Sequence, residues 1–299
     1  MITVEAGTSE PLIVKASVQG LAIYLDNFAI KELAKGDPSR RRRFVEAIHK
    51  GADLLFSVTN AAELCGPTGR SFEVIKEFLN ELGAHWFPVD LNVLEVVKRE
   101  SRGESPSACC ISMDFMKDYF NILLRETESE KVINLSEQFF RLGPVMDWVA
   151  PQRDSINRGK EELDAALAYR LKMQLAKYKQ NPEWLDQQYP VLAFNPARRA
   201  TFAFVNLSRS LILEANSHQL KRGDCNDFCH TIMATAYASL GTLDKHWKRR
   251  FDNLPKPNQL AHIYYSPELD KMVDDIEGYL KELDRQRNSV VVSATQPAV

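Results

Sequence analysis

The sequence predicts an α/β protein: a central parallel sheet covered by helices and interrupted by a large all-helical insertion. Two patterns carry that expectation. Short apolar runs at 21–25, 53–58 and 84–89 alternate with segments of helical period, giving β-α-α-β-α-α-β-α up to residue 100. From 107 to 220 strand signals nearly vanish and helical periods take over. Short apolar runs return at 239–243 and 261–265.

Each element has a local reason. Residues 12–14 and 16–18 suit an edge hairpin. The run 21–25 is continuous and short, as a buried strand is, and it stops on Asp26-Asn27. A helix follows with Phe28 and Leu33 inward, halted by Gly36 and Pro38. Ser39 is placed to cap the next helix, whose first turn is Arg40, Arg41, Arg42 and Arg43 and which Gly51 ends. The second strand, 53–58, leads into a helix where Asn60 and Glu63 stand at capping-box spacing. A helix over 71–83 presents Phe72, Ile75, Phe78, Leu79 and Leu82. The third strand, 84–89, has Pro88 marking its end or an exposed edge. Gly103-Glu-Ser-Pro106 then breaks the chain.

Further helices are expected over 113–125, 130–141, 154–179 and 196–218. The third carries Leu163, Ala166, Leu167, Arg170, Leu171 and Leu175 along one face. A helix from Asp224, a strand over 239–243, a helix from Asp244, a fifth strand over 261–265 and a helix over 267–287 complete the chain. The organisation is therefore 1–106 and 221–287 as two parts of one α/β domain, 107–220 as the insertion, and 288–299 as a disordered tail.

Composition narrows the class. Among 299 residues, 44% hydrophobic and 9% aromatic content supports a proper core and excludes global disorder. A net charge of −2 gives no global basic signal, so affinity for a polyanion has to come from local patches. Five scattered cysteines without a recognisable signal peptide fit free thiols in the cytoplasm. No apolar run approaches the length of a membrane span, so no membrane partner is expected.

Five acids fall at element ends: Asp26, Glu63, Asp224, Asp227 and Asp244. The carboxyl ends of parallel strands are where open α/β sheets place their sites. Clustered carboxylates repel each other unless they hold a hard cation, and Mg²⁺ or Mn²⁺ takes oxygen ligands of this kind. Capping explains several of them individually: Asp224 and Asp244 as N-caps, Asp227 at the third helical position, Glu63 in its box. Asp26 has the weakest structural excuse.

Cations gather nearby. Arg222, Lys245, Lys248 and Arg249 flank the acids, and the Arg40–Arg43 run opposes its own helix dipole where a structural role would place acids. An acidic centre with a cationic rim suits a polyanion whose phosphate must meet a metal ion; an ordinary solvated face explains each cation equally well. Cys225, Cys229 and His230 lack the second pair that a closed zinc site requires. No phosphate-binding loop, nucleophile elbow or dinucleotide fingerprint is present.

Taken in order, Leu21-Ala-Ile-Tyr-Leu-Asp26, Ser57-Val-Thr-Asn-Ala-Ala-Glu63, Asp227 opening a helix and Thr242-Leu-Asp244 after a strand resemble the acid series of PIN-like nucleases. The resemblance covers about residues 21–100 and 222–265. It implies a three-layer α/β/α sandwich, Mg²⁺ or Mn²⁺, and hydrolysis of RNA, with Asp26, Glu63, Asp227 and Asp244 as catalytic metal ligands and Asp224 as a possible fifth. The long insertion departs from compact members and bears on substrate choice and regulation by shaping or gating access; a homo-oligomer or a regulatory protein partner is a separate expectation. A catalytically silent scaffold that binds RNA or protein, and a structure-specific DNA nuclease, remain as alternatives.

Overall fold

The computed structural model describes residues 2–5, 13–18, 20–127, 140–214 and 223–294. β1 (Ile2–Glu5) and β2 (Ile13–Ala16) pair antiparallel as a separate two-stranded sheet. The hairpin partner of the 13–16 stretch is thus the extreme N-terminal strand, not the 16–18 run. The main sheet is entirely parallel: β3 (Leu21–Tyr24), β4 (Ala52–Phe56), β5 (Trp86–Pro88), β6 (Leu240–Thr242) and β7 (His262–Tyr264). Their order is β5-β4-β3-β6-β7. The chain steps outward from β3 to β5, then returns through the insertion to β6 on the other side of β3. That reversal opens a crevice beyond the carboxyl ends of β3 and β6.

Strand side chains alternate between two cores. Leu21, Ile23, Leu54, Phe56 and Trp86 enter one; Ala22, Tyr24, Leu55 and Phe87 enter the other. Both faces must therefore be covered. The first is covered by α1 (Asn27–Lys35), α2 (Pro38–Gly51), α3 (Val58–Leu64) and α4 (Arg70–Glu81). On the second lie α5 (Val93–Ser101) and the short α6 (Pro106–Cys110). The insertion then divides. Its α7 (Met113–Thr127) and α8 (Leu142–Val149) join the first core. Its α9 (Arg153–Gln180), α10 (Glu183–Gln188) and α11 (Arg199–Glu214) join the second, with α12 (Asp224–Tyr237) and α13 (Lys245–Asp252). α14 (Leu269–Ala294) closes the first face. The result is an α/β/α arrangement of three layers in which the insertion is part of both cores.

Several local expectations are corrected. α2 is capped by Asp37, whose carboxylate accepts from Ser39 N at 2.9 Å, with Pro38 as the first helical residue. The capping box of α3 is Ser57 with Asn60, which leaves the Glu63 carboxylate out of it. Most of the helix expected over 130–141 lies outside the described residues, as does 215–218 at the end of another. α14 runs on to Ala294, through residues expected to be disordered.

Two acids dock the insertion. Glu100, 4% exposed at the end of α5, accepts from Ala200 N, Thr201 N and Thr201 Oγ1 at the start of α11, and from the Tyr237 hydroxyl of α12. Asp164 of α9 accepts from Gly223 N at 2.6 Å and Cys225 N at 2.9 Å, capping α12 from outside. Each carboxylate satisfies amide protons that a helix start leaves unpaired.

Candidate active site

β3 ends at the switch point and delivers Asp26. Its carboxylate caps α1, accepting from Ala29 N at 2.8 Å, so a structural role exists that the sequence did not disclose. Thr242, buried at the end of β6, donates to Asp26 Oδ1 at 3.1 Å and accepts from Asp26 N at 2.8 Å. One hydroxyl thus ties the two strands that flank the crevice. Two residues on, Asp244 caps α13 by accepting from Trp247 N at 2.8 Å.

α12 brings the third acid. Its N-cap is Gly223, at φ +97°, and the capping oxygens come from Asp164. Asp224 is thus the first helical residue and not the cap, which moves Asp227 one place further into the helix than expected. Asp227 faces the crevice. Burial, followed by the charges of Asp244, Glu63, Asp224 and Asp164, pushes its carboxyl up to about 7. Asp26 is raised for the same reasons, burial first, despite the opposing hydrogen bonds from Ala29 and Thr242. The neighbouring carboxylates thus add to burial at both acids.

Asp26, Glu63, Asp227 and Asp244 line one cleft of about 200 Å³ with Asn27, His230 and Trp247. Asp224 is not among the lining residues and acts on Asp227 through its charge. Glu63 is engaged from three sides. Asn27 Nδ2 donates to one oxygen; Asn226 Nδ2 and Lys160 Nζ, the latter at 2.9 Å, hold the other. His230 lies beneath, its Nδ1 hydrogen-bonded to the buried Tyr24 hydroxyl. Burial lowers its pKa to about 3, so the ring is neutral, and its buried Nε2 has no hydrogen-bond partner.

The carboxylate oxygens are of the type a hard divalent cation takes; the buried His230 nitrogen is not. The placement of the acids is incomplete. Among the described residues no three such side chains form a ready-made metal-binding group. Glu63, tied to Lys160, is the acid most committed elsewhere.

The cations sort into two sets. Arg40 pairs with Glu32 and Asp270, Arg41 with Glu81, and Arg43 with Asp274 and Glu277. These pairs join α2 to α1, α4 and α14, so the run has the structural purpose that its place at a helix start argued against. Arg42 is the most exposed, 3.9 Å from Glu46. On α13, beside Asp244, Lys248 pairs with Asp252, while Lys245 and Arg249 are exposed and without an ion pair among the described residues. Arg222 lies outside the described residues. Cys225 and Cys229 contact each other on α12, whereas His230 turns to Tyr24, so the three do not converge.

Sequence reasoning missed Lys160, Asp164, Asn226 and Asn27. Lys160 and Asp164 stand one turn apart on α9 and meet Glu63 and the start of α12. Only their spacing hinted at a shared face.

Fold and cleft together define a parallel α/β protein with an acid cluster at its strand switch point. Comparison with protein-family models, with curated proteins and with solved structures gives no match.

Proposed function

We propose that this chain is a divalent-metal-dependent endonuclease that hydrolyses RNA phosphodiester bonds, as its resemblance to PIN-like nucleases implies. The observation that carries the reading is the convergence of Asp26, Glu63, Asp227 and Asp244, from four separate segments, on one cleft. Capping accounts for Asp26 and Asp244 one at a time, but not for their convergence with Glu63 and Asp227, where neighbouring carboxylates add to burial in raising Asp26 and Asp227.

Asp26, Asp227 and Asp244 would hold Mg²⁺ or Mn²⁺, which supplies Lewis acidity and an activated water. The remaining work belongs to the chain. Asp227, whose carboxyl is raised, would have to be deprotonated to serve as a ligand. Thr242 fixes the Asp26 carboxylate. Lys245 and Arg249 attract the phosphate backbone. One observation favours a silent scaffold instead: Lys160 already neutralises Glu63.

Cleavage of a mixed RNA pool in Mn²⁺, beside a DNA pool, tests the reading. Asn is as good an N-cap as Asp, so Asp26→Asn should fold normally. It should lose on the order of a hundredfold or more in rate. Equal rates for variant and wild type would refute the proposal, and DNA cut in preference to RNA would reassign the substrate.

A further inference from the structure

A second, larger cavity of about 470 Å³ adjoins the acid cleft, within the size range of small-molecule sites. Its floor comes from the ends of β4 and β5 and from α11 and α12; α9 forms one wall. The lining is mainly apolar. Leu163, Leu167 and Leu171 of α9 descend into it at helical spacing, Leu163 being 62% exposed and Leu171 5%. That stripe faces a void where a helix of a packed core would meet side chains. Phe204 and Phe228 add aromatic faces, and Asn92 and Gln174 amides.

Two features say what would fill it. Lys160 and Asn226 line this cavity while holding the Glu63 carboxylate that lines the acid cleft, so these side chains bridge the two spaces. The charges of the lining are Lys160, Arg170 and Asp90: Asp90 is paired with Arg99 and Lys160 with Glu63, each at 2.9 Å, which leaves Arg170 as the lining cation without an ion pair among the described residues. A planar apolar body with polar edges, linked to an anion that shares Lys160 with Glu63, matches this lining.

We infer that the cavity is a nucleobase subsite, receiving a base next to the phosphate that lies in the acid cleft. This rests on the proposed function for the nature of the substrate. The base would stack against the leucines and phenylalanines, which tolerate any π-face, while amide and hydroxyl groups meet its edge. The linked phosphate would lie beside Lys160.

The test is calorimetric titration of the full chain, in chelator, with a single-stranded RNA tetranucleotide and with versions carrying one abasic ribose at each position. Removing the base at one position should weaken binding about tenfold, and at positions outside the subsite hardly at all. Leu163→Trp and Leu94→Trp, at exposed lining positions and therefore tolerant of substitution, should fill the mouth and abolish the difference between intact and abasic RNA. Equal binding of intact and abasic RNA at every position overturns the inference. So does decanoate binding that the tetranucleotide fails to displace, which would mark an acyl site. Failure of the nuclease reading looks different: wild type would discriminate against the abasic RNA yet cut nothing in Mn²⁺.

Discussion

Asp227 is where the cost of the site can be read most directly. Its carboxyl is raised from 3.8 to about 7 in the fold, so the folded chain binds this proton more tightly than the unfolded one. Stability from that difference is full below the unfolded value and is lost as pH rises through about 7. The melting temperature in chelator should therefore fall as pH climbs from about 4 toward 8, and Asp227→Asn should flatten that part of the profile. Added Mn²⁺ should raise the melting temperature of wild type at about pH 8 but not that of the variant. A wild-type profile identical to that of Asp227→Asn would show that neither burial nor the neighbouring acids raise this carboxyl. Thr242 offers a second handle. Thr242→Val removes both its bonds to Asp26 at nearly constant volume and leaves a buried amide without its acceptor. It should cost about 1–3 kcal/mol in denaturant unfolding. Unchanged stability on that substitution would mean that water replaces the hydroxyl.

At the scale of elements, the legible parts were those set by local chemistry. The buried run before Asp26 and the acids after β3 and β6 follow from apolar continuity and from residues that favour helix starts. What stayed hidden depends on tertiary partners. The first turn of α8 contains Gly143 and Pro144, which mask its helical signal; a Cβ at Gly143 would come within 2.4 Å of Asn80 Oδ1, so Asn80, which accepts from Gly143 N, would have to move for any larger residue. The caps of α11 and α12 lie far away in sequence, on Glu100 and Asp164, where no capping rule looks. The Arg40–Arg43 run misled for the same reason, since its acids sit on other helices. Glu100 gives the element-scale prediction. Glu100→Ala strands three donors of α11 and the Tyr237 hydroxyl, one of them buried and the others half-buried. A loss above about 3 kcal/mol is expected, with amide exchange rising first across α11 and α12. Uniform exchange across the sheet instead would mean that the insertion is not docked through this carboxylate.

At the scale of the molecule, the cations divide between those paired across helices and those left exposed beside the cleft. Arg41 and Arg43 bind acids on other helices, and burial plays little part: Glu81 is 46% and Asp274 63% exposed at the side chain. Exposed pairs of this kind contribute about 0.2–1 kcal/mol each. Lys245 and Arg249 sit on the helix that Asp244 caps, next to the cleft, with no ion pair among the described residues. A net charge of −2 leaves no global attraction for a polyanion, so the local set has to supply it. Lys245→Ala with Arg249→Ala should then weaken single-stranded RNA binding and lower its salt slope by roughly 0.7 for each phosphate no longer neutralised. The melting temperature should hold. Arg41→Ala with Arg43→Ala should do the reverse, lowering the melting temperature by a few degrees, on the order of 1 kcal/mol, while affinity and salt slope stay put. The comparison is internal, because each double variant removes two positive charges. If both pairs lowered the salt slope equally, binding would follow net charge alone. The cleft-side helix would then have no special claim on the nucleic acid.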